Sequence, residues 1–219
     1  MPCELRQIRG HSFFQPLGPA PILVDLGANV GGFADEYLAQ FPHAEVVLVE
    51  GDPYLIEILG RRFARRRNIR LFRGLVGAES RPAVSFHLCK VPEGNSIHRR
   101  FGETWSPGET REIQVEMIAL SELLRLAGCQ QVDLLKMDIE GSEWDVLEDF
   151  SAAEARVVRQ ISVEFHDFLD PGLRPRTEAC VARLEALGYA ALCRSTDRVH
   201  GSPYFDCLFH RDAWPDSQA

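Results

Sequence analysis

The chain has 219 residues, of which 45% are hydrophobic, and its formal net charge at pH 7 is −8. This size and composition favour one globular domain with its own core, and the negative charge argues against non-specific binding of nucleic acid. The sequence has no apolar run near the roughly 18 residues that span a bilayer, and residues 1–10 lack the apolar centre of a signal peptide. We therefore expect a soluble, cytoplasmic protein that acts on a small molecule, without a nucleic-acid or membrane partner.

Six cysteines are scattered along the chain, and no two of them form a C-x-x-C pair. This spacing gives no indication of zinc binding or redox chemistry. Because most of them fall in otherwise apolar segments, we predict buried free thiols at Cys3, Cys89, Cys129, Cys180, Cys193 and Cys207.

Seven apolar segments have the composition of buried strands. They cover residues 22–27, 45–50, 69–77, 132–138, 159–166, 189–194 and 204–210. Segments of helix length separate most of them, and the strands are apolar throughout rather than at every second residue. This alternation predicts a mostly parallel sheet that is covered on both faces, with right-handed connections.

Helical spacing of apolar side chains is clear in three of the connecting segments. Residues 31–41 and 53–63 follow the first two strands and each place aromatic and aliphatic residues on one face. A third segment, residues 177–187, stops at Gly188, the residue expected just after a helix. These segments predict crossover helices between the strands.

Residues 84–117 interrupt the alternation. Two segments with strand character, 83–89 and 112–118, flank a stretch rich in glycine, proline and charge. We predict a hairpin-like insertion there. It is either a plain surface connection or a lid over the substrate, and the sequence favours neither.

The segment VDLGANVGGF, residues 24–33, predicts a strand, a glycine-containing turn and a helix. A dinucleotide-binding turn, G-x-G-x-x-G, needs its second glycine so that the backbone can approach the pyrophosphate. Asn29 stands at that place, while Gly27 and Gly31 still permit close approach. A side chain at this position is better tolerated by a ligand without phosphates, such as S-adenosylmethionine.

Acidic residues stand where the predicted strands end. Three strands end at Asp25, Glu50 and Asp138, and another passes Glu164 to finish at His166. In an open parallel sheet, ligands bind beyond the carboxyl ends of the strands. Several carboxylates along one such edge indicate a ligand that presents hydroxyls, an amine or a metal ion.

Glu50 is the candidate for binding a ribose. An ionised carboxylate only accepts hydrogen bonds, so it matches two adjacent ribose hydroxyls. NAD-dependent enzymes use an acidic residue at a similar distance, so Glu50 by itself does not separate the two cofactors. The side chain of Asn29 disfavours NAD.

Five blocks of sequence, in this order, resemble the FkbM-type family of S-adenosylmethionine-dependent methyltransferases. They are VDLGANVGGFA (24–34), VVLVEGDP (46–53), GNSI (94–97), VDLLKMDIEGSEWDVL (132–147) and ISVEFH (161–166). The resemblance runs from about residue 22 to residue 210, and the fourth block is the most distinctive. It implies an α/β, Rossmann-like class I methyltransferase fold: a seven-stranded, mostly parallel sheet with helices on both faces and one antiparallel strand near its edge.

The resemblance also divides the chain. We expect an N-terminal extension over residues 1–21, the methyltransferase domain over 22–212 with its insertion at about 84–117, and a polar tail over 213–219. The start of the helix at 120–128 departs from the family pattern, and Ser121 is the expected N-terminal cap of this helix.

Position by position, the resemblance assigns the cofactor contacts. The ribose falls to Glu50. The methionine end of the cofactor falls to Asp25, Gly27, Ala28, Asn29, Gly31, Phe33 and Asp138. The adenine falls to Asp52, Pro53, Leu75 and Val76.

By resemblance, the activity is O-methylation of a hydroxyl on a sugar, a polyketide or another natural product. A hydroxyl needs a proton acceptor before it attacks a methyl group. Our leading hypothesis makes His166 the base, with Asp138 and Glu164 beside it, because imidazole titrates near neutral pH. The alternative is a divalent cation, Mg²⁺ or Mn²⁺, held by Asp138, Glu164 and His166.

Two further functions compete with an enzyme of this kind. One is a catalytically silent protein with a methyltransferase-like fold that binds the cofactor or a partner, and the other is an NAD-dependent dehydrogenase. Among the remaining charged residues, Glu143 is interpreted as an acid that favours the first turn of a helix, and Lys136 as a residue inside a strand that either snorkels or pairs and is not a nucleophile. The oligomeric state is left open.

Overall fold

The computed structural model describes strands and helices within residues 4–16, 18–193 and 202–211. In chain order the strands are β1 (Leu5–Ile8), β2 (His11–Phe14), β3 (Ile22–Leu26), β4 (Glu45–Glu50), β5 (Ile69–Arg73), β6 (Leu75–Gly77), β7 (Arg81–Leu88), β8 (Arg111–Ala119), β9 (Leu134–Met137), β10 (Gln160–Glu164), β11 (Ala190–Cys193) and β12 (Asp206–His210). The helices are α1 (Gly32–Gln40), α2 (Pro53–Arg62), α3 (Arg99–Trp105), α4 (Leu120–Leu126), α5 (Glu143–Glu148), α6 (Ala152–Val157) and α7 (Arg174–Ala186).

Seven of these strands form the central sheet, in the order β11-β12-β10-β9-β3-β4-β5. β3 pairs in parallel with both β4 and β9, whereas β12 runs antiparallel to both of its neighbours. The predicted seven-stranded, mostly parallel sheet is confirmed. The chain passes from β3 to β4 and β5 on one side and continues through β9 and β10 on the other, so the strand order reverses between β3 and β9.

Both faces of this sheet are covered. Leu23 belongs to a buried cluster with side chains of α1 and α2, whereas the next residue, Val24, belongs to a second cluster with side chains of α5 and α7. Consecutive residues of a strand point to opposite faces. The strands are therefore apolar throughout because each of their faces is buried.

The hairpin of β1 and β2 lies within the segment 1–21 that the sequence indicated as an extension. Phe13 of this hairpin is fully buried, and its ring contacts the rings of Phe33, Tyr37 and Phe41. The hairpin thus shares the core of α1. This packing brings the side chains of β2 close to β10.

The predicted insertion forms a second, three-stranded sheet in the order β6-β8-β7. Its two long strands, β7 and β8, are antiparallel, as the sequence predicts for a hairpin. The single predicted strand over residues 69–77 is instead divided into β5 and β6, which belong to different sheets. At the division, a Cβ on Gly74 would lie 2.9 Å from the carbonyl oxygen of Glu116, so the chain changes sheet where it passes close to β8.

One helix end follows the prediction and another does not. Gly188 follows α7 with a φ of +90°, a left-handed conformation that glycine adopts without strain. Ser121 does not cap α4, because β8 runs directly into this helix and places Ala119 at the N-cap. The hydroxyl of Ser80 instead accepts a hydrogen bond from the N–H of Ala119, at 2.9 Å.

The prediction of free thiols is wrong for one pair of cysteines. Cys193 and Cys207 form a disulfide, because β11 and β12 place these residues directly opposite each other. They are 14 positions apart in the sequence, and no local spacing indicates the pair. Cys180 is free and buried, while Cys89 and Cys129 are free and partly buried. Cys3 and the predicted tail, 213–219, lie outside the described residues.

Among the helices of the described residues, none has both the length and the apolar character that crossing a bilayer requires.

Candidate active site

A cavity opens at the carboxyl ends of β3, β4 and β9. This edge of the sheet is where the strand order reverses, the usual ligand position in open α/β sheets. Polar residues of the wall include Asn29, Glu50, Asn95, Asp138 and Glu140. Apolar residues of the wall include Leu55, Leu75, Val76, Phe86 and Ile139.

The glycine turn after β3 forms one side of the cavity. Gly27 has a φ of +75°, and a Cβ there would lie 1.8 Å from the carbonyl oxygen of Asp138. Asn29 adopts a left-handed conformation as well, with a φ of 49°. Glycine is required at position 27 because the turn touches the backbone that follows β9.

The Glu50 carboxylate lies at the end of β4 and is surrounded by backbone donors. It accepts hydrogen bonds from the N–H groups of Asn29 at 2.9 Å and of Gly51 and Asp52 at 2.8 Å each. Burial raises the pKa of Glu50, although these hydrogen bonds oppose the rise. The carboxylate is therefore held in one orientation at the cavity wall.

Asp52 and Pro53 act on the cavity indirectly. The Asp52 carboxylate caps α2 by accepting from the N–H of Tyr54 at 2.8 Å, and it also accepts from the side-chain amide of Asn95 at 3.0 Å. Asn95 itself lines the cavity. Asp52 thus connects the β4–α2 segment to the insertion. Asn95 was not a candidate in the sequence analysis.

The structure brings part of the predicted cofactor set to the cavity wall. The predicted residues on the wall are Gly27, Asn29, Glu50, Leu75, Val76 and Asp138. The predicted residues that lie outside the wall are Asp25, Ala28, Gly31, Phe33, Asp52 and Pro53. Phe33 instead meets the ring of His11 edge-on, with the ring centres 5.7 Å apart.

Asp25 is fully buried beside Lys136. The ammonium nitrogen of Lys136 lies 3.2 Å from Asp25 and 3.7 Å from Asp138, and it donates to the carbonyl oxygen of Gly27 at 2.9 Å. Of the two expectations for Lys136, snorkelling or pairing, the structure confirms pairing. Burial raises the pKa of Asp25, which Lys136 counteracts. Asp25 therefore stabilises the glycine turn indirectly, because it pairs with Lys136, which donates to the carbonyl oxygen of Gly27.

His166 lies at the centre of a cluster of carboxylates. Its Nδ1 is 3.0 Å from Glu143 and its Nε2 is 3.2 Å from Glu140, while Asp138 and Glu164 lie 3.8 Å and 3.7 Å from Nε2. Burial alone would lower the pKa of His166, but the carboxylates of Glu140 and Glu143 raise it well above its usual value. Both ring nitrogens are engaged, and the side chain is only 1% exposed.

Glu143 is the residue whose place sequence reasoning missed. It begins α5, as expected for a first-turn acid, but it is fully buried. Its carboxylate accepts from the N–H groups of Ile139 at 3.1 Å and Gly141 at 3.0 Å, in addition to meeting His166. The loop after β9 folds back over the helix start, and an acid at this position does not by itself indicate that fold.

Asp138 and Glu164 are the more accessible carboxylates, with side chains 31% and 25% exposed. Burial and the neighbouring Asp138 raise the pKa of Glu164 to about 8. Burial alone would raise the pKa of Asp138, but Lys136, His11 and His166 together outweigh burial and hold this pKa below its usual value. The two acids thus have different affinities for a proton while facing the same space.

His11 of β2 reaches the same space from the N-terminal hairpin. Its Nδ1 is 3.2 Å from the hydroxyl of Ser162, and its Nε2 is 3.9 Å from Asp138. The ligand atoms of His11, Asp138 and Glu164 all lie within 4.8 Å of one another, as do those of Asp138, Glu140 and His166. The alternative hypothesis from the sequence placed a cation between Asp138, Glu164 and His166, and no sequence pattern indicated His11.

The cavity and its strand-end carboxylates suit a cationic ligand with hydroxyls better than a pyrophosphate. The seven-stranded, mostly parallel sheet with its antiparallel strand β12 is the fold of a class I methyltransferase. The chain belongs to the FkbM methyltransferase family, because the Methyltransferase FkbM domain matches residues 25–190. The resemblance noted in the sequence is thereby confirmed.

Curated proteins are similar to this chain over most of its length. Methyltransferase sdnD of Sordaria araneosa is 29% identical over 185 residues, which cover 73% of this chain and 71% of that protein. The AMB antimetabolite synthetase AmbE of Pseudomonas aeruginosa is 22% identical, with 93% of this chain and 11% of the synthetase covered. This chain therefore matches a small part of that much longer protein.

A solved structure shows the same fold. The crystal structure of Methyltransferase FkbM from Methylobacillus flagellatus superposes with a TM-score of 0.57 at 16% identity. The match covers 90% of this chain and 44% of that chain. At this identity the likeness concerns the fold.

Proposed function

We propose that the protein transfers a methyl group from S-adenosylmethionine to a hydroxyl of a small molecule. The proposal rests on the position of Asp138, which both lines the cavity and borders the cluster around His166. A donor in the cavity and an acceptor at the cluster would therefore meet at one carboxylate. The acceptor class is a sugar, a polyketide or another natural product, and the setting is the cytoplasm.

The residues present fit S-adenosylmethionine, which supplies an electrophilic methyl group on a positively charged sulfonium when bound. Glu50 would accept from the ribose hydroxyls, and Leu75 and Val76 would contact the adenine. Asp138 and Glu140 add negative charge to the opposite part of the wall. This polarity complements a cation with one apolar end.

We assign removal of the acceptor's proton to the carboxylates of Glu164 and Asp138. His166, our first candidate, has one nitrogen at Glu143 and the other at Glu140, so neither nitrogen has a lone pair directed at a substrate. It would instead hold these carboxylates together. The second candidate for activating the hydroxyl is a divalent cation, Mg²⁺ or Mn²⁺, at the same carboxylates.

Calorimetry and a labelled-methyl assay test the proposal together. We expect S-adenosylhomocysteine to bind and NADH not to bind, and a hydroxylated acceptor from a screen of sugars, phenols and polyketide alcohols to become methylated. Binding of NADH alone would overturn the methyltransferase assignment for this site. Binding of S-adenosylhomocysteine without a methylated product from any acceptor would favour the catalytically silent protein.

A further inference from the structure

The N-terminal hairpin is fixed over β10 by polar contacts. The backbone N–H of Phe14 donates to the side chain of Gln160 at 2.7 Å, and the Gln160 amide donates back to the carbonyl oxygen of Phe14 at 3.0 Å. At the neighbouring strand, the hydroxyl of Ser12 donates to Asp206 at 3.1 Å. These contacts, together with the buried ring of Phe13, hold β2 in place. The position of His11 is therefore built into the fold.

The imidazole of His11 is oriented toward the carboxylates. Its Nδ1 is within hydrogen-bond distance of the Ser162 hydroxyl, at 3.2 Å. Its Nε2 is directed at Asp138, whose nearest carboxylate oxygen is 3.9 Å away, an ion-pair distance that is longer than a normal hydrogen bond. The residue is 4% exposed, so this buried imidazole faces Asp138 and Glu164, with the Asp138 carboxylate as a distant ionic partner.

We propose that His11, Asp138 and Glu164 bind a divalent cation. Three observations support it: the ligand atoms lie within 4.8 Å of one another, the Nε2 of His11 is directed at the Asp138 carboxylate from 3.9 Å, and Ser162 engages the other ring nitrogen. Metal-binding histidines commonly donate their second ring N–H to an acceptor in this manner, which leaves the first nitrogen free to coordinate.

The donor set also indicates the kind of ion. Mg²⁺ prefers oxygen ligands throughout and keeps much of its water. An imidazole nitrogen next to two carboxylates suits a first-row transition ion better, and carboxylates suit Mn²⁺ within that group. We therefore assign the site to Mn²⁺ in preference to Mg²⁺. The role of His166 in the earlier ligand set passes to His11.

The inference deepens the proposed function, and only its catalytic use rests on that function. Asp138 belongs to both the cavity wall and the ligand set, so a cation here would lie beside the methyl donor. A hydroxyl bound to a divalent cation loses its proton more readily. In that case Asp138 and Glu164 would act as ligands.

Titration of the purified, metal-free protein with MnCl₂, followed by the loss of the free Mn²⁺ electron paramagnetic resonance signal, tests the site. We expect one bound Mn²⁺ in the wild type, weaker binding of Mg²⁺, and at least about a tenfold loss of Mn²⁺ affinity in His11→Ala. Ser162→Ala should weaken Mn²⁺ binding by about tenfold, as loss of a ligand's supporting hydrogen bond does. His43→Ala, which changes an exposed histidine, serves as the matched control and should bind as the wild type does.

Binding of S-adenosylhomocysteine, measured on the same samples, separates the possible failures. His11→Ala that keeps this binding but loses Mn²⁺ is folded and supports the cation site. A wild type that binds S-adenosylhomocysteine but no Mn²⁺ overturns the cation site and leaves the proposed function standing. Equal Mn²⁺ affinity in the wild type and His11→Ala removes His11 from the ligand set, and tighter binding of Mg²⁺ than of Mn²⁺ overturns the assignment of the ion.

Discussion

The cavity and the neighbouring cluster of charged side chains are stabilised in different ways. On the cavity side, Glu50 is surrounded by backbone N–H groups that come from residues close to it in the chain or in the adjacent turn. In the cluster, His166 is held by side-chain carboxylates, those of Glu140 and Glu143. Substitution of Glu50 leaves dipoles that water can satisfy, whereas substitution of His166 leaves buried charges. The cluster is therefore the more sensitive of the two regions to loss of one member.

The largest expected effect is that of His166→Ala on stability. Removing the imidazolium leaves the buried Glu143 and the partly buried Glu140 without their partner, which should lower the free energy of unfolding by about 3–5 kcal/mol. Urea denaturation measures this change. His43→Ala is the control, and it should change the free energy by less than about 0.5 kcal/mol because His43 is exposed. A wild-type unfolding curve for His166→Ala would show that the cluster does not depend on this charge.

Glu164→Gln should separate turnover from cofactor binding. Glu164 faces the acceptor side and does not line the cavity wall formed by the described residues, so we expect kcat to fall by about 100-fold with an unchanged affinity for S-adenosylhomocysteine. A labelled-methyl assay and calorimetry measure the two quantities. Glu57→Gln, on the exposed surface of α2, is the control. An equal loss of kcat in both variants would contradict the role of Glu164.

Gly27→Ala tests the close approach of backbones at the cavity. The added Cβ meets the carbonyl oxygen of Asp138, and alanine is strained at this φ, so we expect a loss of about 2 kcal/mol in stability and weaker binding of S-adenosylhomocysteine. Gly60→Ala in α2 is the matched control, because a Cβ there meets nothing within 4 Å. That change should stabilise the helix by about 0.5–1 kcal/mol. If both variants were equally stable, the turn would not require glycine.

Glu50→Gln should have the smallest effect, and we expect this effect on ligand binding in the cavity and not on stability. The amide keeps one acceptor oxygen but loses the charge, so we expect binding of S-adenosylhomocysteine to weaken by about tenfold with little change in stability. Glu45→Gln, at the exposed opposite end of β4, is the control. An unchanged affinity in Glu50→Gln would exclude the ribose contact, and a loss of stability as large as that in His166→Ala would remove the contrast between the two regions.

The cavity side was largely predictable because its determinants are local. Strand, turn and helix follow one another between residues 22 and 63, and Glu50 stands at a strand end that continuous apolar residues make visible. The same pattern predicts the parallel sheet and indicates that ligands bind at the carboxyl ends of its strands. Even there, Asp25 and Phe33 face the protein interior, because the packing of Lys136 and His11 decides where these side chains lie.

The cluster was only partly predictable. Asp138, Glu164 and His166 stand at strand ends and were expected to meet, and they do. Glu143 and His11 were not found, since one has the composition of an ordinary first-turn acid and the other lies in a short polar hairpin. These two residues change the roles assigned from the sequence. Glu143 and Glu140 contact the two ring nitrogens of His166, and His11 presents the nitrogen that faces the carboxylates.

The sequence by itself determined the α/β class, the glycine turn, the acidic strand ends and the family, because these depend on periodicity and on residues close together in the chain. Only the tertiary structure decided which of the acids face the cavity, which nitrogen of each histidine is occupied, and that Cys193 meets Cys207. These features depend on the pairing of distant strands and on the docking of the N-terminal hairpin. The physical reason is that a charged side chain takes its protonation and its partners from whatever folding places within a few ångströms of it.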